Sequence, residues 1–219
     1  MTTLDTIIAR WNSNEGKPYK GKLFDFGAYD GEGEPPLSCM CAQGQVLHLL
    51  GGYGPEWFRD RQQAEADKET ARLLNISVAH AILLRQVNDT VDGAPSIVLT
   101  DPGKILGSEW SRLLDFWWHM GQMTGKQWDA TWAASGDTPA AASGDASGAA
   151  AWAATWDVAG DAAWDVAGDA AGAASGAASE IQGAHLLRQR GKPFFFLPMF
   201  GFADPESIPA RPADYGSRP

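Results

Sequence analysis

Cysteine is scarce in this sequence, which contains only Cys39 and Cys41, separated by one residue. A disulfide between them is geometrically awkward, because bridged Cα atoms need a specific separation and direction. No second cysteine pair is present to complete a structural zinc site. We therefore predict reduced thiols, no metal and no other cofactor.

Long apolar runs are also missing. No segment approaches the roughly 18 uncharged apolar residues that a membrane-spanning helix needs. The first residues, MTTLDTIIARWNSNEGK, lack the basic start, the apolar run and the cleavage site of a secretory signal. These features predict a cytoplasmic protein with no membrane partner.

Catalytic signatures are absent as well: the sequence has no P-loop, dinucleotide fingerprint, HExxH or GxSxG. One enzymatic alternative rests on Cys41, which lies where a helix would begin, since a helix N-terminus lowers the pKa of a thiol. A base would then come from His48, His80, His119 or His185. The surrounding CMCAQG matches no nucleophile signature, so we favour an inert thiol over a cysteine-dependent enzyme.

Positive charge is missing from one long segment. Lysine and arginine do not occur between residues 127 and 187, where eight acidic residues lie, and the whole chain has a formal net charge of −10. Nucleic-acid binding normally depends on clustered lysine and arginine. We therefore expect a protein partner or self-association rather than a nucleic-acid partner.

A four-residue repeat of tryptophan, aspartate and glycine on an alanine background occupies the same segment, with thirteen tetrads over residues 128–179. Alanine favours helix. Because a helix turns about 100° per residue, each tetrad drifts by about 40°, and one straight helix cannot keep all its tryptophans on one side. We predict an Ala-rich helical hairpin or bundle, interrupted near SGDTP.

The tetrads resemble low-complexity blocks of uncharacterised Ala/Trp/Asp/Gly tetrad-repeat proteins of bacteriophages and high-GC bacteria, some of them grouped with toxin-immunity proteins. The resemblance covers residues 128–179 and is one of composition. It implies a mobile-element setting, with the protein in the host cytoplasm or in the virion, and it supplies no catalytic residue. Selection for a surface and simple expansion of a short nucleotide unit both explain the repeat.

Before the repeat, the sequence predicts a mixed body. Helices are expected over 3–12, over 41–50 with an end at Gly51 and Gly52, and after Ser108. Strands are expected over 22–30, where apolar and polar residues alternate, and over the β-branched run 96–100. The body is therefore α+β and predominantly α.

Residues 67–86 resemble a helix-turn-helix, with Ala71, Leu74, Asn75, Ile76 and Leu84 at its usual positions. Asn75 suits the left-handed residue that ends a helix, and Ser77 is a good N-cap for the next helix. A DNA reader needs polar or basic groups on its second helix, and this one is apolar. We favour a structural helical pair, with a nucleic-acid binder as an alternative.

The sequence thus predicts three regions: a mixed body over 1–127, a tetrad-repeat helical region over 128–192, and an aromatic segment with a Pro-rich extended tail over 193–219. The aromatic run 194–202 is read as a buried strand, or as a docking segment if exposed. The predicted function is non-enzymatic protein interaction or assembly, as a virion component or an inhibitor of a host protein. The predicted interaction residues are Asp157, Asp161, Asp165, Asp169, Trp152, Trp156, Trp164, Phe194, Phe195, Phe196 and Phe200.

Overall fold

The computed structural model describes residues 3–13, 16–90, 95–106, 110–127, 130, 200–202 and 205–216. These residues are predominantly helical, as the sequence predicts. The chain forms two compact units, one of residues 1–105 and 213–219 and the other of residues 106–212. The predicted hairpin or bundle of the tetrad-repeat region lies outside the described residues.

Most of the helices belong to the first unit. They are α1 (Leu4–Ser13), α2 (Ala42–Gly51), α3 (Pro55–Arg59), α4 (Gln63–Leu74), α5 (Val78–Thr90) and α6 (Ile97–Thr100). The short α7 (Gly103–Leu106) lies where the first unit ends in sequence, and its last residue belongs to the second unit. The second unit contains α8 (Trp110–Gln122). Short 3₁₀ turns occupy Leu37–Cys39 and Pro205–Ser207.

Helices α2, α4 and α5 pack against one another and form the centre of the first unit, with α1 against α2 and α6 against α5. Residues 79–84 of α5 are all buried, so this stretch of the helix is enclosed on every side. A helix that is apolar all round belongs in a core. The apolar second helix noted in the sequence is therefore the central helix of the unit.

Helix ends in this unit follow local sequence chemistry, and the predictions for them are confirmed. Gly52 ends α2 in the left-handed region, with φ of 72°. Asn75 does the same after α4, with φ of 51°. The backbone N–H of His80 donates to Ser77 Oγ at 3.2 Å, which caps the start of α5. Each cap satisfies backbone groups that the helix leaves unpaired.

The strand predicted over 22–30 is wrong. In the described part of the chain this stretch makes one isolated antiparallel bridge, between Phe24 and Met40. Asp25 N–H donates to Cys39 O at 2.7 Å and Cys41 N–H donates to Leu23 O at 3.3 Å. The pairing ends there because the partner segment turns into α2 at residue 42.

The strand predicted over 96–100 is also wrong, because α6 forms there instead. Pro95 O and Ser96 O accept the backbone N–H groups of Val98 and Leu99 at 3.3 and 3.0 Å, which closes one helical turn. Val98 is completely buried. Tertiary burial of a single turn has overridden the β preference of the branched side chains.

The second unit is organised along α8, which buries Leu113, Leu114, Phe116 and Trp117. Phe200 packs edge-on against Phe116, with ring centroids 4.9 Å apart. Phe200 lies in a 3₁₀ turn and is half-buried, so the described end of the aromatic run is not the predicted strand. The rest of that run, including Phe194, Phe195 and Phe196, lies outside the described residues.

The sequence predicts an extended Pro-rich tail, but the described part of the tail is not simply extended. It contains the 3₁₀ turn Pro205–Ser207. In the second unit, the guanidinium of Arg211 forms an ion pair with the buried carboxylate of Asp115 and donates to Ser111 O at 2.9 Å. The guanidinium also lies 5.6 Å from the ring centroid of Trp110. A charged contact with a buried partner fixes this part of the tail to α8.

Candidate interaction surface

Most of the predicted interaction residues cannot be placed. Asp157, Asp161, Asp165, Asp169, Trp152, Trp156, Trp164, Phe194, Phe195 and Phe196 lie outside the described residues, and their role stays a prediction. Phe200 is described and packs against α8. The candidate surface in the described chain is therefore a different one.

Five aromatic rings in the first unit form a continuous series, here called the aromatic row: Phe26, Phe24, Phe58, Trp57 and Tyr53. Their successive centroid separations are 4.6 Å, 5.4 Å, 5.4 Å and 4.4 Å. Rings at such distances attract one another in tilted, stacked or edge-on arrangements. The row therefore behaves as one packed unit rather than as five independent side chains.

Two arginines lie over rings of the aromatic row, one at its Phe26 end and one over Trp57, the ring next to Tyr53. The Cζ atom of Arg59 lies 5.3 Å from the centroid of Phe26, and that of Arg61 lies 5.5 Å from the centroid of Trp57. The middle of the row, Phe24 and Phe58, is buried, whereas Phe26 is 38% exposed. Guanidinium groups at this distance are held by cation–π attraction. The row thus has a buried centre, with one arginine over its exposed Phe26 end and another over the partly buried Trp57.

Helix α3 supplies two rings of the row, Trp57 and Phe58, and no ring of the row was predicted from the sequence as part of a surface. Gly54 is extended and Pro55 occupies the first turn, where a missing N–H costs nothing. The helix buries Phe58 and leaves Trp57 half-exposed. The sequence GPEWFRDR could have indicated this part of the surface, because a Gly-Pro helix start precedes two aromatic residues and two arginines.

Tyr53, at one end of the row, is fixed by hydrogen bonds. Its hydroxyl donates to Glu69 at 2.6 Å, and Arg72 donates to the same carboxylate at 2.6 and 2.8 Å. His48 Nδ1 donates to Tyr53 O at 2.8 Å. The Arg72 bonds lower the pKa of Glu69, and the bond to this carboxylate raises the pKa of Tyr53. The phenol therefore stays a protonated donor at neutral pH, and this end of the row is preorganised.

Cys41 does not have the properties that the enzyme alternative needs. It is the N-cap of α2, and its Sγ accepts the N–H of Gly44 at 3.5 Å. Burial raises the pKa of its thiol to about 11, and the opposing hydrogen bonds from Gly44 and Gln43 do not offset this. Burial also raises the pKa of Cys39. Desolvation outweighs the helix N-terminus, so the thiolate that nucleophilic catalysis requires is scarce at neutral pH.

Alkylation of the folded protein by iodoacetamide at pH 8 is expected to be at least about 100-fold slower than alkylation of the chain in guanidinium, because little thiolate forms. The rate should rise as the pH approaches 11. Stability should fall over the interval from pH 9 to 11, because the folded state holds the Cys41 proton more tightly than the unfolded chain does. Mass spectrometry measures the alkylation rate, and denaturant titrations measure the stability. Stoichiometric labelling of the folded protein at pH 8 would restore the enzyme alternative.

The helix-turn-helix alternative meets a geometric obstacle. A recognition helix inserts an exposed face into the major groove. In α5, residues 79–84 are buried against the rest of the protein. The α4–α5 pair is therefore a core element, and this stretch of α5 presents no base-reading face.

A buried polar network joins α2, α4 and α5. Asp67 is 1% exposed and accepts from Gln43 Nε2 at 2.7 Å and from Gln63 Nε2 at 3.0 Å. Arg85 donates to its two oxygens at 3.4 Å. Gln43 also donates to Ala81 O at 2.9 Å. A carboxylate with this many donors is a structural junction between three helices.

Within the described residues, no group of three or more histidine, cysteine, aspartate or glutamate side chains is placed to hold a metal ion. None of the described helices is both long enough and apolar enough to cross a bilayer. Compared with known proteins, the chain matches no family model, no curated protein and no solved structure.

Proposed function

We propose that this chain is a non-enzymatic protein-interaction or assembly protein, and that the aromatic row with Arg59 and Arg61 is one of its binding surfaces. The observation that carries the proposal is the partly exposed Phe26 under Arg59, continuous through buried rings with Trp57 under Arg61. Binding hot spots are enriched in tryptophan, tyrosine and arginine, set around a desolvated centre.

Rigidity supports this assignment. The inner rings of the row belong to the core cluster that also contains Met40, Leu47 and Ala66. Tyr53 is fixed to α4 through Glu69. Side chains that are already ordered lose little conformational entropy when a partner binds. The row therefore suits a binding surface better than a set of mobile side chains would.

The arginines over Phe26 and Trp57 indicate the chemistry of the partner. Arg61 forms an exposed pair with Glu65 at 3.4 Å, and such pairs contribute little and exchange readily. Arginines next to aromatic rings offer both a planar apolar face and a fork that binds a carboxylate. We propose a protein partner with an apolar centre and an acidic rim. The resemblance of the tetrads favours a phage setting, as a virion component or as an inhibitor of a host protein.

The test uses the double variant Phe26→Ser/Arg59→Glu in the full chain. Both residues lie at the exposed end of the row, so the core should remain intact. Immobilised wild-type protein is exposed to a bacterial lysate, the retained protein is identified and purified, and its affinity is measured by titration calorimetry. The variant is expected to bind at least about tenfold more weakly, the loss typical of a hot spot.

The matched control is Lys68→Glu, which reverses the charge of an exposed side chain outside the row. It should bind like the wild type. Equal affinity of the double variant and the wild type would reject the row as the binding surface. A wild-type protein that retains nothing, and whose measured mass is that of a monomer at all concentrations, would reject the interaction role itself.

A further inference from the structure

Tyr215, near the end of the chain, is held by the turn between α4 and α5. Its hydroxyl lies 2.9 Å from His80 Nδ1, 3.2 Å from the backbone N of Ser77 and 3.3 Å from Ser77 Oγ. The rings of His80 and Tyr215 are stacked, with an interplanar angle of 11°. The turn therefore recognises both the hydroxyl and the ring of a tyrosine.

The direction of these hydrogen bonds follows from the other ring nitrogen of His80. His80 Nε2 lies 2.8 Å from Val98 O, and a carbonyl oxygen can only accept, so Nε2 carries the proton. In neutral histidine Nδ1 then accepts, and the Tyr215 hydroxyl donates to it. His80 is 3% exposed. A phenylalanine at 215 would remove the hydroxyl that donates to this buried acceptor, and the loss of such a bond is costly.

The backbone next to Tyr215 is recognised as well. Asn75 Nδ2 donates to Asp214 O at 2.8 Å, and Gly216 N–H donates to Asn75 O at 2.8 Å. Gly216 has φ of 75°, a conformation that glycine adopts without strain. Residues 213–216 thus dock through their main chain, an aromatic ring and a hydroxyl. This is the pattern of a sequence-specific peptide site.

Connectivity makes the docked segment exchangeable. The first unit is built from residues 1–105 and 213–219, and the whole second unit intervenes in sequence. The same segment of another copy would make identical contacts, since nothing in them depends on which chain supplies the tyrosine. When the segment makes the same contacts within one chain and between chains, the protein concentration and the linker before the segment determine whether the closed or the exchanged form is populated.

We propose that the α4–α5 turn is a docking site for residues 213–216, and that it accepts this segment from a second copy as well as from its own chain. Exchange of the segment then links copies into closed dimers or open chains. The inference rests on the proposed assembly role and names a partner for it, a second copy. It uses residues that the aromatic row does not contain.

The first experiment tests the site with a defined probe, a labelled synthetic peptide with the sequence of residues 213–219. Full-length Tyr215→Ala, whose own tail lacks the docking side chain, is expected to bind it saturably by fluorescence anisotropy. The wild type should bind at least about tenfold more weakly, because its own tail competes. A peptide with phenylalanine for tyrosine should also bind at least about tenfold more weakly. Should Tyr215→Ala fail to fold, full-length Tyr215→Phe keeps the stacked ring and replaces it.

The second experiment tests exchange, by measuring the mass of the full chain over a range of concentrations. The wild type should form larger species as concentration rises. An excess of the residue 213–219 peptide should convert these species to monomer, because the free segment occupies the site, and the peptide with phenylalanine for tyrosine should need at least about tenfold higher concentration to do so. No peptide binding by a folded Tyr215 variant would overturn the site. A wild type that stays monomeric at all concentrations, or larger species that persist at saturating peptide, would overturn exchange. Phe26→Ser/Arg59→Glu should exchange tails normally, so failure of the aromatic row and failure of the tail site are distinguishable.

Discussion

Replacing Asp67 by alanine is expected to lower the free energy of unfolding by about 3 kcal/mol, the loss typical of removing one partner from a buried charged network. The carboxylate is 1% exposed and lies between α2, α4 and α5. Its removal leaves Gln43 Nε2 with one acceptor fewer and strips Arg85 of its counter-charge. Buried donors without acceptors cost more than the lost bonds themselves contribute.

Glu65→Ala is the matched control for this variant, because it removes a carboxylate from the same helix. Glu65 pairs with Arg61 at 3.4 Å and both side chains are about half exposed. Its loss should cost less than about 0.5 kcal/mol. Urea unfolding followed by circular dichroism measures both. Equal effects of the two substitutions would show that Asp67 is not a structural junction.

Gly44→Ala is expected to destabilise the protein by about 3 kcal/mol, although alanine is the better helix former. Gly44 lies inside α2, where a Cβ would overlap the carbonyl oxygen of Leu23 and approach Met40 Cβ to 3.0 Å. The same Leu23 carbonyl accepts the N–H of Cys41. Both neighbours are fixed by backbone contacts, so the clash cannot be relieved by a side-chain rotation.

Gly121→Ala supplies the comparison for this prediction. It lies near the end of α8, and among the described residues a Cβ there meets nothing within 4 Å. The same change should therefore be neutral or stabilising, by up to about 1 kcal/mol. Thermal unfolding monitored by circular dichroism distinguishes the two variants. A neutral Gly44→Ala would mean that the loop carrying Leu23 does not lie against α2.

Local chemistry was enough to predict much of the helical framework. The ends of α2 and α4 at Gly52 and Asn75, and the cap of α5 at Ser77, need only the conformational preferences of those residues. They could be placed because each cap acts within one turn of the chain. The amphipathic pattern predicted α1 for the same reason.

Elements that depend on distant partners could not be predicted in this way. The alternating stretch over 22–30 looked like a strand, but its partner offers only the residues before α2. The β-branched run at 96–100 became helical because Val98 is buried and its carbonyl accepts from His80. Tyr215 reaches the α4–α5 turn across more than a hundred residues of sequence. No local pattern contains such information.

The candidate surface was missed for a related reason. Phe24 and Phe26 come from one loop and Trp57 and Phe58 from α3, and only the fold brings them into one row. The extremes of composition lie in the tetrads and the phenylalanine run instead. Short arginine and aromatic segments of ordinary composition form the aromatic row.

Buried polar groups of the first unit act mainly in structure. Asp67 joins three helices, His80 holds the tail, and the Cys41 thiol caps α2 with a raised pKa. Each of these residue types performs catalysis elsewhere when it is exposed and suitably paired. Here their polar atoms form hydrogen bonds with other residues of the same chain.

Radical footprinting of the full chain, with and without the purified partner, tests the binding role of the aromatic row most directly. Oxidation of Trp57 and Phe26 is expected to fall severalfold in the complex, because a partner seated on the row excludes water from both. Unchanged oxidation of these two rings in a saturated complex would contradict the proposed surface.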